Sequence, residues 1–150
     1  MSQSLVQLYT HLIFSTKHRE PFLDASVHED LRGYLGGILR NLESPSLMIG
    51  CVADHVHILY SQSRKIALMD LVEEVKKSSS KWLKTKGPRY RRFYWQSGYG
   101  AFSVSPSRLG AVKRYIQNQG NHHRKVSFQD EFRRFLKEYA IEYDERYVWD

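Results

Sequence analysis

Two short motifs carry residues able to do chemistry. The first is Asp54-His55-Val56-His57-Ile58-Leu59. On an extended strand, residues two apart share a face. His55 and His57 then present two imidazoles side by side while Val56 and Ile58 enter a core. Two convergent imidazoles form half of a metal site. Taken alone, the pair equally fits a polar strand face with two solvated histidines. The second motif is Tyr115-Ile116-Gln117-Asn118-Gln119. Tyr115 and Gln119 are four apart and share a helix face. A glutamine oxygen is an adequate hard ligand for a divalent cation, and a tyrosine is a nucleophile once activated. Alone, the tyrosine also fits a core or interface position and the glutamine a solvated one. Together the motifs specify one chemistry. Two imidazoles and an amide oxygen leave places on a cation for phosphate oxygens and water, so phosphorus is polarised and the leaving oxygen stabilised. A free phenol has a pKa of about 10, so about one in a thousand is ionised at pH 7. The cation and Lys113 or Arg114 are the expected sources of activation. Attack by Tyr115 on a DNA phosphodiester would conserve the bond as a phosphotyrosine.

The charge pattern fits a polyanionic substrate. The chain of 150 residues carries a net charge of +7, and no acid lies between Glu74 and Asp130. That window holds 13 basic residues, whereas the rest of the chain sums to −6. Trp82, Tyr90, Phe93, Tyr94, Trp95, Tyr99 and Phe102 are interleaved there. Cations hold phosphates and aromatic faces stack unpaired bases, a mixture suited to single-stranded nucleic acid. Lys84, Lys86, Arg89, Arg91, Arg92, Lys113 and Arg114 are the candidate DNA contacts, on charge and proximity. One cysteine, Cys51, excludes an internal disulfide and a cysteine-based zinc site, and reads as a buried strand residue. No apolar run spans a bilayer and no charged-then-apolar segment opens the sequence. The expectation is a cytoplasmic protein with no membrane partner and no nucleotide cofactor, since no Gly-rich phosphate loop is present.

The elements that must position these residues read as follows. Residues 5–15 form a strand with Leu8, Leu12 and Phe14 on one side. Residues 24–42 form a helix, opened by a Ser26/Glu29 capping box. Residues 47–52 and 55–62 form a hairpin around Ala53-Asp54. Residues 66–84 form a second helix, and 85–99 a basic aromatic loop broken by Gly87-Pro88. Residues 101–105 form a short strand. Pro106 starts a third helix that runs to about Gln119, with Gly120 as its stop. Residues 128–139 form a fourth, capped by Ser127. The order predicts an α+β, ferredoxin-like split βαβ fold. It has an antiparallel sheet with helices on one face, plus C-terminal helices that carry the nucleophile, within one domain over 1–150.

The chain resembles the single-tyrosine HUH transposases of the smallest bacterial insertion sequences (the IS200 type), and their relatives associated with repetitive extragenic palindromes. The resemblance spans essentially the whole chain. It rests on Tyr9-Thr10-His11-Leu12-Ile13-Phe14, on the His55/His57 motif, on Trp95-Gln96-Ser97-Gly98-Tyr99, and on the Tyr115 motif with His122-His123. The closing Glu142-Tyr143-Asp144-Glu145-Arg146-Tyr147 resembles the end of one branch. The resemblance implies His55, His57 and Gln119 as ligands of a divalent cation, Mg²⁺ with Mn²⁺ able to substitute, and Tyr115 as the nucleophile. It implies cleavage and rejoining of single-stranded DNA at hairpin-bearing ends through a 5′-phosphotyrosine. It also implies a homodimer in which Tyr115 can act in trans. His122 and His123 read as DNA contacts or surface rather than as extra metal ligands, and Asp54 as either orienting a histidine or making the hairpin turn. The alternatives are a domesticated or inactive relative that binds hairpin nucleic acid without cutting, and a HUH replication initiator or relaxase, for which the chain is short.

Overall fold

A computed structural model describes residues 2–119 and 126–150. Four strands, β1 (Tyr9–Ser15), β2 (Ser46–Cys51), β3 (His55–Ser61) and β4 (Gly100–Ser103), form an antiparallel sheet in the order β2-β3-β1-β4. The helices are α1 (Ala25–Asn41), α2 (Leu68–Leu83), α3 (Leu109–Gln117) and α4 (Phe128–Glu138). This is the split βαβ order that the sequence predicts.

Strand alternation divides the sheet into two chemically different faces. Leu12 and Phe14 of β1 and Val56, Ile58 and Tyr60 of β3 point to one side. There they join Leu31, Leu35 and Leu39 of α1 and Leu71, Val72 and Val75 of α2 in the main core. The other side takes the C-terminal helices. Ile116 of α3 packs on Leu59 and Val104, while Phe128, Phe132 and Leu136 of α4 pack on Ile13 and Phe102. Two glycines seat these helices. A Cβ at Gly50 of β2 would stand 2.7 Å from Ile116, and one at Gly100 of β4 would overlap the Phe132 ring.

Three local expectations change. The first strand starts at Tyr9 rather than residue 5, because its ladder partner ends at Ser61; Leu5, Val6 and Leu8 are exposed. The Ser26/Glu29 capping box does not form. Leu23 is buried and its N–H donates to Ala53, so the chain turns earlier: Asp24 is the N-cap, with no side-chain bond, and Ser26 falls inside the first turn. The third helix opens as a 3₁₀ turn at Pro106–Arg108 before α3. The Ser127 cap forms as expected, its hydroxyl accepting from the Asp130 N–H. Gly120, His122 and His123 lie outside the described residues.

Adding a methyl to a filled contact costs about 1–3 kcal/mol. Gly50→Ala and Gly100→Ala should each lose stability in that range in chemical denaturation. A loss below about 0.5 kcal/mol at both sites would show that the helices are not seated on these glycines.

Candidate active site and metal centre

The alternation that sends Leu12, Val56 and Ile58 into the core sends His11, His55 and His57 to the opposite face, beneath α3 and α4. All three imidazoles are buried, so the reading of two solvated histidines does not hold. Each candidate ligand is held by its Nδ1. His55 Nδ1–H donates to Asp54 Oδ1 at 2.7 Å, and His57 Nδ1 shares a 2.8 Å hydrogen bond with His11 Nε2. Second partners of this kind fix the tautomer and orientation of ligating imidazoles. Asp54 therefore orients a histidine; its backbone carbonyl accepts from Thr16 N–H beyond β1, while Val52 N–H donating to the His55 carbonyl closes the hairpin turn. Burial, then the neighbouring His57, lowers the pKa of His11, against a smaller opposing pull from Glu131.

With Nδ1 engaged, the Nε2 atoms face one carboxylate. Glu131 Oε1 lies 3.0 Å from His57 Nε2 and 3.7 Å from His55 Nε2. Glu131 comes from α4, whose apolar stripe of Phe128, Phe132, Phe135 and Leu136 packs it on the sheet. The stripe puts the carboxylate, also buried, at a core position. Ligand atoms of His55, His57 and Glu131 all lie within 4.8 Å of one another, so the group is able to hold a metal ion. The donor set of two imidazoles and a carboxylate fits a divalent cation. Gln119 Oε1 is buried with no hydrogen-bond partner among the described residues, an unmet acceptor of the kind a hard cation takes. Binding displaces whatever proton lies between His57 and Glu131.

Tyr115 belongs to the same cluster. Its ring centroid is 5.8 Å from that of His57, and its hydroxyl donates to Glu131 Oε2. Burial first, then the bond to Glu131 and its charge, push the phenol pKa up; Gln119 and Arg134 hydrogen-bond it and pull the other way. Arg134 of α4 is thus a cation at the phenol that the sequence reading, which offered Lys113 or Arg114, did not include. The sequence reading gave no role to Glu131 or Arg134, nor to His11, although His11 stands in the first-strand motif that carries the resemblance. For Glu131 a signal was present: an acid at the i+3 position of the Phe128/Phe132 stripe is out of place on an apolar helix face.

The candidate DNA contacts separate. Arg91, Arg92 and Arg89 line one cavity. Arg89 is also a staple, donating to the Phe22 and Pro21 carbonyls. Lys84 donates to Phe93 O and Ser80 Oγ and sits over Tyr94. Lys86 covers Trp82, which stacks on Tyr34. Lys113 and Arg114 ride on α3, away from that cavity. Nearby, Lys76 donates to the carbonyls of Gln96, Ser97 and Gly98, and burial pulls its pKa down to about 8. Cys51 ends β2, and burial pushes its thiol up to about 12.

Residues 4–119 match the sequence profile of the family described as Transposase IS200 like. The chain belongs to the IS200-like transposase family. Among curated relatives, the ISDra2 transposase TnpA of Deinococcus radiodurans is 26% identical over 118 residues, 75% of this chain and 84% of the relative. Two solved structures share the fold. A candidate transposase from Deinococcus radiodurans R1 has a TM-score of 0.62 at 24% identity, covering 79% of this chain and 98% of its own. A REP-associated tyrosine transposase bound to a REP hairpin has a TM-score of 0.60 at 14% identity, covering 84% and 76%. The match to the transposase family ends at Gln119, so α4 with Glu131 and Arg134 lies beyond it. Among the described residues no helix is long and apolar enough to cross a membrane.

Loss of an orienting partner lowers metal affinity about 10–100-fold. Calorimetric titration with Mn²⁺ should show a loss of that size for Asp54→Ala and at least as large a loss for Glu131→Ala, with circular dichroism unchanged. Wild-type affinity in Glu131→Ala would remove that carboxylate from the metal centre.

Proposed function

We propose that this protein is a transposase acting in the cytoplasm, which cleaves and rejoins single-stranded DNA at hairpin-bearing ends through a phosphotyrosine on Tyr115. One observation carries the reading. The Tyr115 hydroxyl and the His57 imidazole meet on the two oxygens of a single buried carboxylate, Glu131. Nucleophile and cation ligands are thereby held together. His55, His57 and Glu131 would hold the cation, Mg²⁺ or Mn²⁺, and Gln119 Oε1 is free to join them. When bound, the cation would polarise the scissile phosphate and stabilise charge on the leaving oxygen.

The protein's own residues account for the remaining steps. Glu131 Oε2 accepts the Tyr115 proton. The phenol oxygen forms a bond to phosphorus, and the bond from phosphorus to the 3′-oxygen breaks. A 5′-phosphotyrosine and a 3′-hydroxyl result, the latter taking up a proton. Reversal with a second 3′-hydroxyl rejoins strands. Arg134, already bonded to the phenol, compensates negative charge as it develops there. Within one chain the Tyr115 hydroxyl and His57 share Glu131, an arrangement that would serve action in cis, while in a homodimer the same tyrosine could complete the partner's site. The homodimer expected from the resemblance would then contain two complete sites. The hairpin carried by the REP-associated relative supports hairpin DNA as the substrate class here.

The test is covalent trapping on a denaturing gel. The protein is incubated with labelled single strands from the DNA flanking its gene, plus Mn²⁺ or Mg²⁺. A metal-dependent adduct is expected with single strands and not with duplex. Tyr115→Phe should abolish it while hairpin affinity stays within about twofold, since a lone hydroxyl adds little to a contact made mainly through phosphates. An adduct in Tyr115→Phe would overturn the assignment. Tight hairpin binding with no adduct under either metal would make the protein a binding relative.

A further inference from the structure

The cavity of about 630 Å³ beyond the end of β1 has no role in the chemistry above. Its size falls in the range of about 300–1,000 Å³ typical of small-ligand sites. Two segments wall it, and both are tied in place. Lys17 N–H donates to the Tyr94 carbonyl at 2.8 Å, and Thr16 pairs with Trp95. Across the cavity, Arg89 pins the 88–90 turn to the Pro21 and Phe22 carbonyls. Lys17, His18, Arg91 and Arg92 line it against one acid, Glu20. His18 and Arg19 are consecutive residues with φ of 59° and 57°. Such left-handed backbone in residues other than glycine persists where the surroundings enforce it, and it clusters at functional sites.

Tyr94 decides what the cavity fits. Its ring is 57% exposed although its neighbours Phe93 and Trp95 are buried. Lys84 lies 4.7 Å and Lys17 6.0 Å from its centroid. An exposed ring flanked by ammonium groups, in a concave wall of guanidinium groups, matches an unpaired base with its phosphates. A duplex does not offer a base face to such a ring. The location fits as well. Lys17 follows Ser15 by two residues, and Ser15 pairs with His55 across the sheet. Two extended residues span about 7 Å. The cavity therefore opens at the end of the sheet that carries His55.

We propose that this cavity binds unpaired DNA next to the scissile phosphate. One base stacks on Tyr94, and Lys17, His18, Arg91 and Arg92 hold its phosphates. This rests on the single-strand cleavage proposed above and adds where the flanking strand lies.

The probe is a set of single-stranded oligonucleotides from the DNA flanking the gene. Each carries 5-iododeoxyuridine at one position and is irradiated with the full-length protein in Mn²⁺. Crosslinks mapped by mass spectrometry should fall on Tyr94 for one or two positions beside the cleaved bond. Tyr94→Ala should weaken binding about tenfold, and Tyr94→Phe, which keeps the stacking face, about twofold or less. Replacing Lys17, Arg91 and Arg92 together by Ala should make log K against log salt shallower by about 2, at about 0.7 per phosphate contact on a single strand. An adduct on Tyr115 with no Tyr94 crosslink, and unchanged affinity in Tyr94→Ala, would overturn the cavity assignment alone. Crosslinking at Tyr94 with no Tyr115 adduct would support the cavity and overturn the cleavage reading. Equal affinity for a fully paired duplex, or tighter binding of the matching RNA, would overturn unpaired DNA as the occupant.

Discussion

Glu131 is a carboxylate with no exposure to water. An ionised carboxylate in that position costs several kcal/mol unless charged or hydrogen-bonding partners surround it. Its partners include two imidazoles and a phenol, supplied by a strand and a separate helix. The need to satisfy this one group therefore ties α4, β3 and α3 into a single arrangement. It also explains why a cation is welcome there. A divalent ion there would compensate the carboxylate and take up the Nε2 atoms that the Asp54 and His11 contacts leave facing it. The metal centre and the docking of the last helix are thus one electrostatic problem.

The sheet solves the geometric side of that problem. A period of two lets one strand serve a hydrocarbon core and a chemical surface at once, as Val56 and His57 do on adjacent positions. The chemical surface is not left open to solvent. Helices α3 and α4 close over it, drawn by Ile116 and the Phe128/Phe132 stripe, and they approach closely because β2 and β4 each offer a glycine. The polar site is roofed by apolar packing, which lowers the local dielectric and strengthens every interaction within it.

The sequence made the His55/His57 pair legible because both its spacing and its apolar interleaving belong to a strand. Tyr115 was legible as a helix residue, though α3 ends at Gln117 and leaves Gln119 past its C-cap Asn118; Ser127 was legible by its place before an amphipathic run. What escaped depended on contacts between segments far apart in the chain. Glu131 lies 74 residues from His57, and only the fold shows that this acid, one residue past the end of the basic window, turns back to the imidazoles. His11 sits on the less apolar side of β1, where nothing local marks it. Arg89 reads as a free cation in sequence yet spends its donors on two carbonyls. The Ser26/Glu29 pattern failed because a tertiary contact at Leu23 set the start of α1.

Lys76 has a consequence of its own. Its ammonium sits among three carbonyl oxygens and beside the Phe14 and Tyr99 rings, much as a potassium ion would. The loop it gathers includes Gln96, whose side chain accepts from Ser15 N–H, directly across the ladder from His55. Because this ion is tethered to the backbone, it does not exchange with solvent. A covalent tether thus holds the strand end beside His55 with a charge that no chelator removes, whatever ion the neighbouring imidazoles would hold.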